Sequence, residues 1–241
     1  MSLKLISLNI EHDKHFDRFL PFLETEQPDV VCFQELFLLD IPLIQQQLQM
    51  NFMFVPKHIF DQETKYKISQ RGIAGVGIFT RLPYRSGQVE PYGGDSSRLA
   101  SFHQPLDSTH SLLSMAVEKA GATYCVATTH FTWSPNGLPN PEQRQHAQKF
   151  KQVLQSFPEL ILCGDMNAPR GGEIFKQLGD GFVDAIPPEV TTTLDSEFHY
   201  AGPLELVVDV LFHTKQYHAK SVQVIGGVSD HKAVVAVIER T

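Results

Sequence analysis

Polar residues that suit cation binding and proton transfer stand at the ends of apolar runs throughout this chain. Asn9 closes LKLISLN, Gln34 and Glu35 close DVVCFQE, and His130 closes YCVATTH. Asp165 and Asn167 close ELILCGDMN, and Asp230 and His231 stand just before AVVAVI. Oxygen ligands suit a hard divalent cation, carboxylates and imidazoles exchange protons, and amides and imidazoles donate to anions. Brought together, these side chains have the chemistry to bind a cation, activate water and hold a phosphate group.

Their placement depends on the elements that carry them. Near-continuous apolar runs read as strands buried on both faces, and polar side chains at their ends can converge on one sheet edge. Strands are expected at residues 3–9, 30–35, 73–80, 112–118, 123–129, 159–164, 206–213, 219–225 and 233–238. A helix is expected over 15–26, where Phe16, Phe19, Leu20 and Leu23 recur at helical spacing, with a kink or later start at Pro21. Further helices are expected at 40–50 with Asp40 as N-cap, at 141–157 with Asn140 as N-cap, and near 171–178. Residues 186–205, carrying Pro187, Pro188 and Pro203, read as an irregular loop. About ten strands outgrow one comfortable sheet, so two stacked sheets with helices outside are expected. No repeat or linker divides the chain, so one domain over residues 1–241 is expected.

A hydrophobic content of 42% and a charged content of 20% fit a soluble globular protein. No stretch has the length of a membrane span, and the N-terminus lacks a basic-then-apolar signal pattern. Cys32, Cys125 and Cys163 lie inside strand-like runs without metal or redox spacing, so they read as small buried hydrophobes in a reducing compartment. A cytoplasmic monomer is expected. The net charge of −7 argues against nucleic-acid packaging without excluding nucleic acid as a substrate.

Seven segments occur in a recognisable order: SLNIE, VVCFQEL, GVGIFTRLP, ATTHFTW, ILCGDMNAP, VVDVLF and GVSDHKAV. In this the chain resembles the endonuclease/exonuclease/phosphatase superfamily from end to end. The resemblance implies an α/β four-layer sandwich, two stacked, mainly antiparallel β-sheets flanked by helices, with the site at one end of the sheets. It implies Mg²⁺, with Mn²⁺ as a substitute, held by Glu35 first and by Asp230 directly or through water. Glu11, two residues past Asn9, is expected to help at the metal, strand spacing placing both side chains on one face. Asn9 itself either ligates or holds phosphate, or its amide ties down the strand end. Asp165 is implied as the group that orients and deprotonates water, and Asn167 as a partner of that water or of the phosphoryl group. A lone DxN also reads as an Asx-turn. His231 is expected to pair with Asp209 and donate to a phosphate oxygen, with His130 as the second phosphate-side histidine. Relatives often carry Arg-Ile-Asp-Tyr-Ile around the aspartate, whereas this chain has Leu206-Val207-Val208-Asp209-Val210-Leu211, so nearby substrate contacts differ. His103, His110, His146 and His199 are expected in surface or loop positions.

The expected activity is Mg²⁺-dependent hydrolysis of a phosphodiester, nuclease-like, by in-line attack of water. Two alternatives stand beside it: a phosphatase or lipid-type phosphodiesterase on a small ester, and a catalytically silent binding module. The family chooses substrates with loops, here 56–72, 86–110, 132–140 and 186–205. Lys57, Lys65, Lys67 and Arg71 read either as phosphate contacts or as a solvated loop. Phe131 and Trp133 read either as an aromatic platform or as packing. The expected partner is a phosphate ester, including short or single-stranded nucleic acid, with no stable duplex binding.

Overall fold

A computed structural model describes residues 2–62, 68, 72–103 and 108–241, so Lys65, Lys67 and Arg71 lie outside the described residues. The first sheet takes strands β1 (Ser2–Asn9), β2 (Val30–Phe37), β3 (Asn51–Phe60), β4 (Gly72–Thr80), β11 (Tyr217–Ile225) and β12 (Ala233–Arg240), in the order β11-β12-β1-β2-β4-β3. The second takes β5 (Tyr84–Gly93), β6 (His110–Lys119), β7 (Ala122–His130), β8 (Ile161–Asp165), β9 (Val183–Asp184) and β10 (Asp209–His213), in the order β5-β6-β7-β8-β10-β9. Each sheet is mainly antiparallel, with a single parallel pair, β1 with β2 and β7 with β8. Helices α1 (Phe16–Glu26) and α2 (Ile41–Leu48) cover the first sheet, and α3 (Pro141–Gln155) and α4 (Glu173–Leu178) cover the second.

The four layers follow from where apolar faces point. Leu5, Cys32 and Ile78 of one sheet meet Met115, Val126 and Leu211 of the other in a shared core. Phe19, Leu23, Ile44 and Leu48 pack on the outer face of the first sheet, and Phe150, Leu154 and Ile174 on that of the second. No helix among the described residues is long and apolar enough to cross a membrane.

Three strands were not anticipated. Strand β5 is an edge strand whose residues Tyr84–Val89 are exposed, so it lacks the apolar run that marks a buried strand. Strand β9 has two residues. Strand β3 contains Pro56, Lys57 and His58, which hide its alternation. Asp40 makes no side-chain cap on α2, because residues Leu38–Asp40 already form a 3-10 turn leading into it. Asn140 caps α3 as expected, accepting from the Gln143 N–H, and Pro21 stays within α1. Asp209 begins β10 instead of lying mid-strand.

Bulges place the site. Between Phe33 and Leu36, β2 carries one extra residue opposite β4, and between Pro56 and His58 so does β3. Both irregularities lie across from Ala74–Gly77, where Gly75 pairs with Leu36 on one side and Pro56 on the other. A Cβ on Gly75 would sit 2.0 Å from the Val55 carbonyl oxygen. Gly75→Ala must therefore push β3 away, and we expect a loss of about 3 kcal/mol, read as a lower urea midpoint at unchanged slope. A wild-type midpoint would show that β3 yields without cost.

Candidate active site

Strand register explains why distant residues meet. In the second sheet His130, Asp165 and Asp209 are direct partners on three neighbouring strands. In the first, Asn9 pairs with Gln34, next to the bulged Glu35. The facing sheet edges enclose one pocket of about 200 Å³, lined by Glu11, Glu35, His130, Asp165, Asn167, Asp230 and His231. Asn9 and Asp209 lie just behind this lining and bond to it.

Asp165 is the hub. Its Oδ1 accepts the Asn167 N–H at 2.8 Å, which is the Asx-turn geometry. Its Oδ2 lies 3.2 Å from Asn9 Nδ2, 3.4 Å from His130 Nε2 and 3.8 Å from His231 Nε2. The turn and the site are thus one feature. Gly164, at φ +135°, allows it: a Cβ there would meet the Thr129 carbonyl oxygen at 2.2 Å. Burial pushes the Asp165 carboxyl up to about 6, helped by Asp209 and opposed by His231.

His231 Nδ1 and Asp209 Oδ2 are 2.9 Å apart. Burial opposes the imidazolium, but Asp209 and Asp165 outweigh it and hold its pKa well above the usual histidine range. The loop 186–205 supports this pair. The Thr193 hydroxyl accepts the N–H groups of Val208 and Asp209, each at 3.1 Å, and Leu194 bridges to His231. His130 is the opposite case: burial and the charge of Lys57 keep it neutral, well below the usual range.

Asn9 is buried, donates to Glu35 Oε1 at 3.3 Å as well as to Asp165, and accepts the Glu11 N–H at 3.1 Å. Its amide therefore does tie down the strand end. Glu35 receives His12 Nδ1 at 2.8 Å. Burial would raise the Glu35 carboxyl, but His12, His130 and Lys57 hold it well below the carboxylate range. Glu11 pairs with Lys14 and, at 2.9 Å, with His15 Nε2. Strand alternation does not bring Glu11 beside Asn9, since β1 ends at Asn9. Glu11 (φ 48°), His12 (φ 63°), Glu35 (φ 58°) and Asn167 (φ 47°) all adopt left-handed backbone at the pocket. Such conformations cost an L-residue about 1 kcal/mol or more each, and their clustering marks a functional locus.

A divalent cation fits this donor set. Ligand atoms of Glu11, His15 and Asp230 lie within 4.8 Å of one another. Burial, with the negative charges of Glu11 and Glu35, pushes Asp230 up to about 7. Crowded carboxylates of this kind are what a cation relieves. Glu35 stands beside this group, closer to Asn9 and His12.

His12, His15, His58 and His199 were not singled out as site residues, yet His12, His58 and His199 line the pocket and His15 meets Glu11. Only the short spacing from Glu11 to His15 could have signalled one of them. Lys57 is buried within the edge strand β3 instead of lying in a solvated loop. His110 and His146 are buried at 2% and 5% exposure, against expectation, the first bonding the His130 carbonyl and the second Thr132. Phe131 is packing, fully buried and stacked near Tyr92 and Phe150. Trp133 is 37% exposed and lines the pocket. All four expected loop regions contribute to the lining, through Lys57, Phe102, Trp133 and Tyr200.

Two stacked mixed sheets with helices on their outer faces form a four-layer α/β sandwich, with this pocket at one end. The model of the endonuclease/exonuclease/phosphatase family matches residues 6–231. The catalytic domain of human Nocturnin, solved with a bound sulfate anion, superposes with a TM-score of 0.71 at 19% identity, covering 100% of this chain and 95% of that one. D. rerio TDP2 complexed with single-strand DNA product gives 0.74 at 18% identity and 99% of each chain. A Bacteroides thetaiotaomicron protein of the same family gives 0.75 at 13% identity, covering 99% and 95%. No curated protein sequence matches the chain. The chain belongs to the endonuclease/exonuclease/phosphatase family, whose members are generally metal-dependent phosphoesterases.

Proposed function

We propose that this protein hydrolyses a phosphodiester, in nuclease-like fashion, by in-line attack of water. The observation that supports it most is the sharing of Asp165 Oδ2 among Asn9, His130 and His231, beside the carboxylates of Glu35 and Asp230. Asp165 takes a proton from the attacking water as its oxygen bonds to phosphorus. The bond to the leaving oxygen breaks, its electron pair stays with that oxygen, and solvent supplies a proton. The His231 imidazolium, oriented by Asp209, donates to a non-bridging oxygen as charge builds there. Neutral His130 offers a second donor, and Asn167 positions the water or the phosphoryl group. A divalent cation, Mg²⁺ or Mn²⁺, held among Glu11, Glu35 and Asp230 with Asn9 and His15 at hand, supplies neutralisation of the phosphate and of the leaving oxygen when bound.

A second reading, hydrolysis of a small-molecule phosphate ester, is favoured by the pocket itself. Its volume of about 200 Å³ and its apolar wall of Phe60, Ala74 and Phe102 suit a compact substrate. A screen with Mg²⁺ or Mn²⁺ separates the readings. Turnover of bis-p-nitrophenyl phosphate and single-stranded DNA or RNA supports the first. Activity confined to p-nitrophenyl phosphate or sphingomyelin supports the second. No turnover of any would leave a silent binding module.

Short or single-stranded nucleic acid suits this site better than duplex, as the single-strand product held by the TDP2 relative illustrates. The net charge is −7, and surface basics such as Lys119, Arg144, Lys151, Arg170 and Arg240 are already ion-paired. Duplex affinity grows with each phosphate neutralised. Long duplex DNA is therefore expected to bind weakly, with a shallow salt slope in a fluorescence anisotropy titration. Tight binding with a steep slope would instead indicate a duplex endonuclease.

A further inference from the structure

We propose that Lys57 is a catalytic residue of this site, contacting a non-bridging oxygen of the substrate's phosphoryl group from the β3 side. This rests on the phosphoesterase reading and adds to it a cation contributed by the edge strand β3, in the same sheet as the β12 that follows His231 but several strands away from it.

The geometry begins with the bulge. Pro56 pairs with Gly75 and His58 with Ala74, which leaves Lys57 as the extra residue between them. An extra residue re-aims its side chain. Here Lys57 and His58 are both buried in succession, where a regular strand would send one of them outward. The backbone is held in that position from the far side, since the Lys57 carbonyl accepts both the N–H and the hydroxyl of Thr109 at 2.9 Å.

The side chain then lines the pocket with Glu35, His130 and Asp165. Among the described residues, its ammonium has neither an ion pair nor a hydrogen bond. Lys14, the other lysine of the lining, is committed to Glu11, and the lining histidines His12 and His231 are bonded to Glu35 and Asp209. A buried charge without a direct partner is costly, and an apolar side chain would fill the same space more cheaply. Burial pulls the amine down to about 8, against the longer-range attraction of Glu35 and Asp165, so it remains mainly protonated at neutral pH. A cation kept at this cost, in the same pocket as the proposed water-activating aspartate, suits an anion that arrives only with substrate. A phosphoryl group supplies one, and Lys57 keeps its proton throughout the reaction. The lysine also offsets the repulsion that Glu11, Glu35, Asp165 and Asp230 present to an anionic ester.

Lys57→Met, Lys57→Gln and Lys57→Arg test this. With Mg²⁺ or Mn²⁺ present, kcat and KM are measured on bis-p-nitrophenyl phosphate and p-nitrophenyl phosphate. Inorganic phosphate affinity is measured by calorimetry, and thermal midpoints are recorded. The Met variant is expected to lose roughly a hundredfold in kcat/KM, the scale of one lost transition-state donor. Its phosphate affinity should fall while its thermal midpoint holds or rises, because an uncompensated charge has been removed. Gln should behave alike, which covers any packing fault specific to Met. Arg should recover part of the activity. Wild-type turnover and phosphate affinity in Lys57→Met would overturn the contact. So would a fall in midpoint in both neutral variants with no recovery by Arg, which would mark a structural lysine. Wild-type protein that neither hydrolyses an ester nor binds phosphate would overturn the phosphoesterase reading together with this contact.

Discussion

Asp165→Asn is expected to lower turnover by at least about a hundredfold while the protein stays folded, the scale for loss of a positioned acid–base group. The amide keeps the shape and can still accept the Asn167 N–H, but it cannot take a proton from water. Folding should not suffer. The native carboxyl titrates at about 6, above its ordinary 3.8, so its ionised form is penalised by burial. That penalty grows as pH rises from about 4 to 6, and Asn removes it. The same value sets the pH dependence. A base must be ionised, so kcat/KM on bis-p-nitrophenyl phosphate, whose charge is constant, should fall as pH drops through about 6. At the other limb His231, held above the usual range by Asp209 and Asp165, should lose its donor role as pH rises past its raised pKa. His231→Ala and His130→Ala should each cost about a hundredfold or more. Asp209→Asn should be a milder form of the His231 defect, since it disturbs only the ring's charge and orientation. Turnover near wild type in Asp165→Asn across the pH range would remove Asp165 from proton transfer.

Mg²⁺ or Mn²⁺ is expected to raise the thermal midpoint, and a chelator to abolish activity. The sign follows from Asp230, pushed up to about 7 by burial and by the charges of Glu11 and Glu35. Its ionisation weakens the cation-free fold progressively as pH rises from about 4 to 7, because the unfolded carboxyl ionises first. A cation binds the ionised cluster and reverses that loss. Binding at a hundred times Kd adds about 2.7 kcal/mol. The rise in midpoint with Mg²⁺ should therefore be larger at pH 8 than at pH 5.5, measured by differential scanning fluorimetry. Glu35→Gln should move the Mg²⁺ requirement for activity to higher concentration. Full activity of that variant at low Mg²⁺ would take Glu35 out of cation binding. An unchanged wild-type midpoint at pH 8 would argue against a cation site altogether.

Much of the site was legible because its residues interrupt a strong local signal. A buried strand is a run of apolar residues, and the polar residue that ends it stands out: Asn9, Glu35, His130 and Asp165 were each visible in this way. The two stacked sheets followed from the number of such runs. The order of the motifs then tied Asp209 and His231 into the same set. The strand readings draw on periodicity and composition, which are properties of short windows, whereas the placing of Asp209 and His231 rests on the resemblance to the family.

What only the tertiary structure decided depends on pairing between strands far apart in sequence. Strand β5 was hidden because an edge strand needs no apolar run. His12 and His15 entered the site because β1 stops at Asn9 and a left-handed turn carries the chain back toward Glu35 and Asp230. Asn167 lines the pocket through the Asx-turn in which its N–H donates to Asp165. Lys57 looked like one basic residue among several in a loop. Its place in the pocket that Asp165 also lines comes from a bulge that forms because Pro56 and His58 both pair with β4, and Gly75 lets the backbones approach. A bulge is a mismatch in count between two paired strands. Neither strand carries that count alone, so register, which is non-local, determines which side chains complete the site.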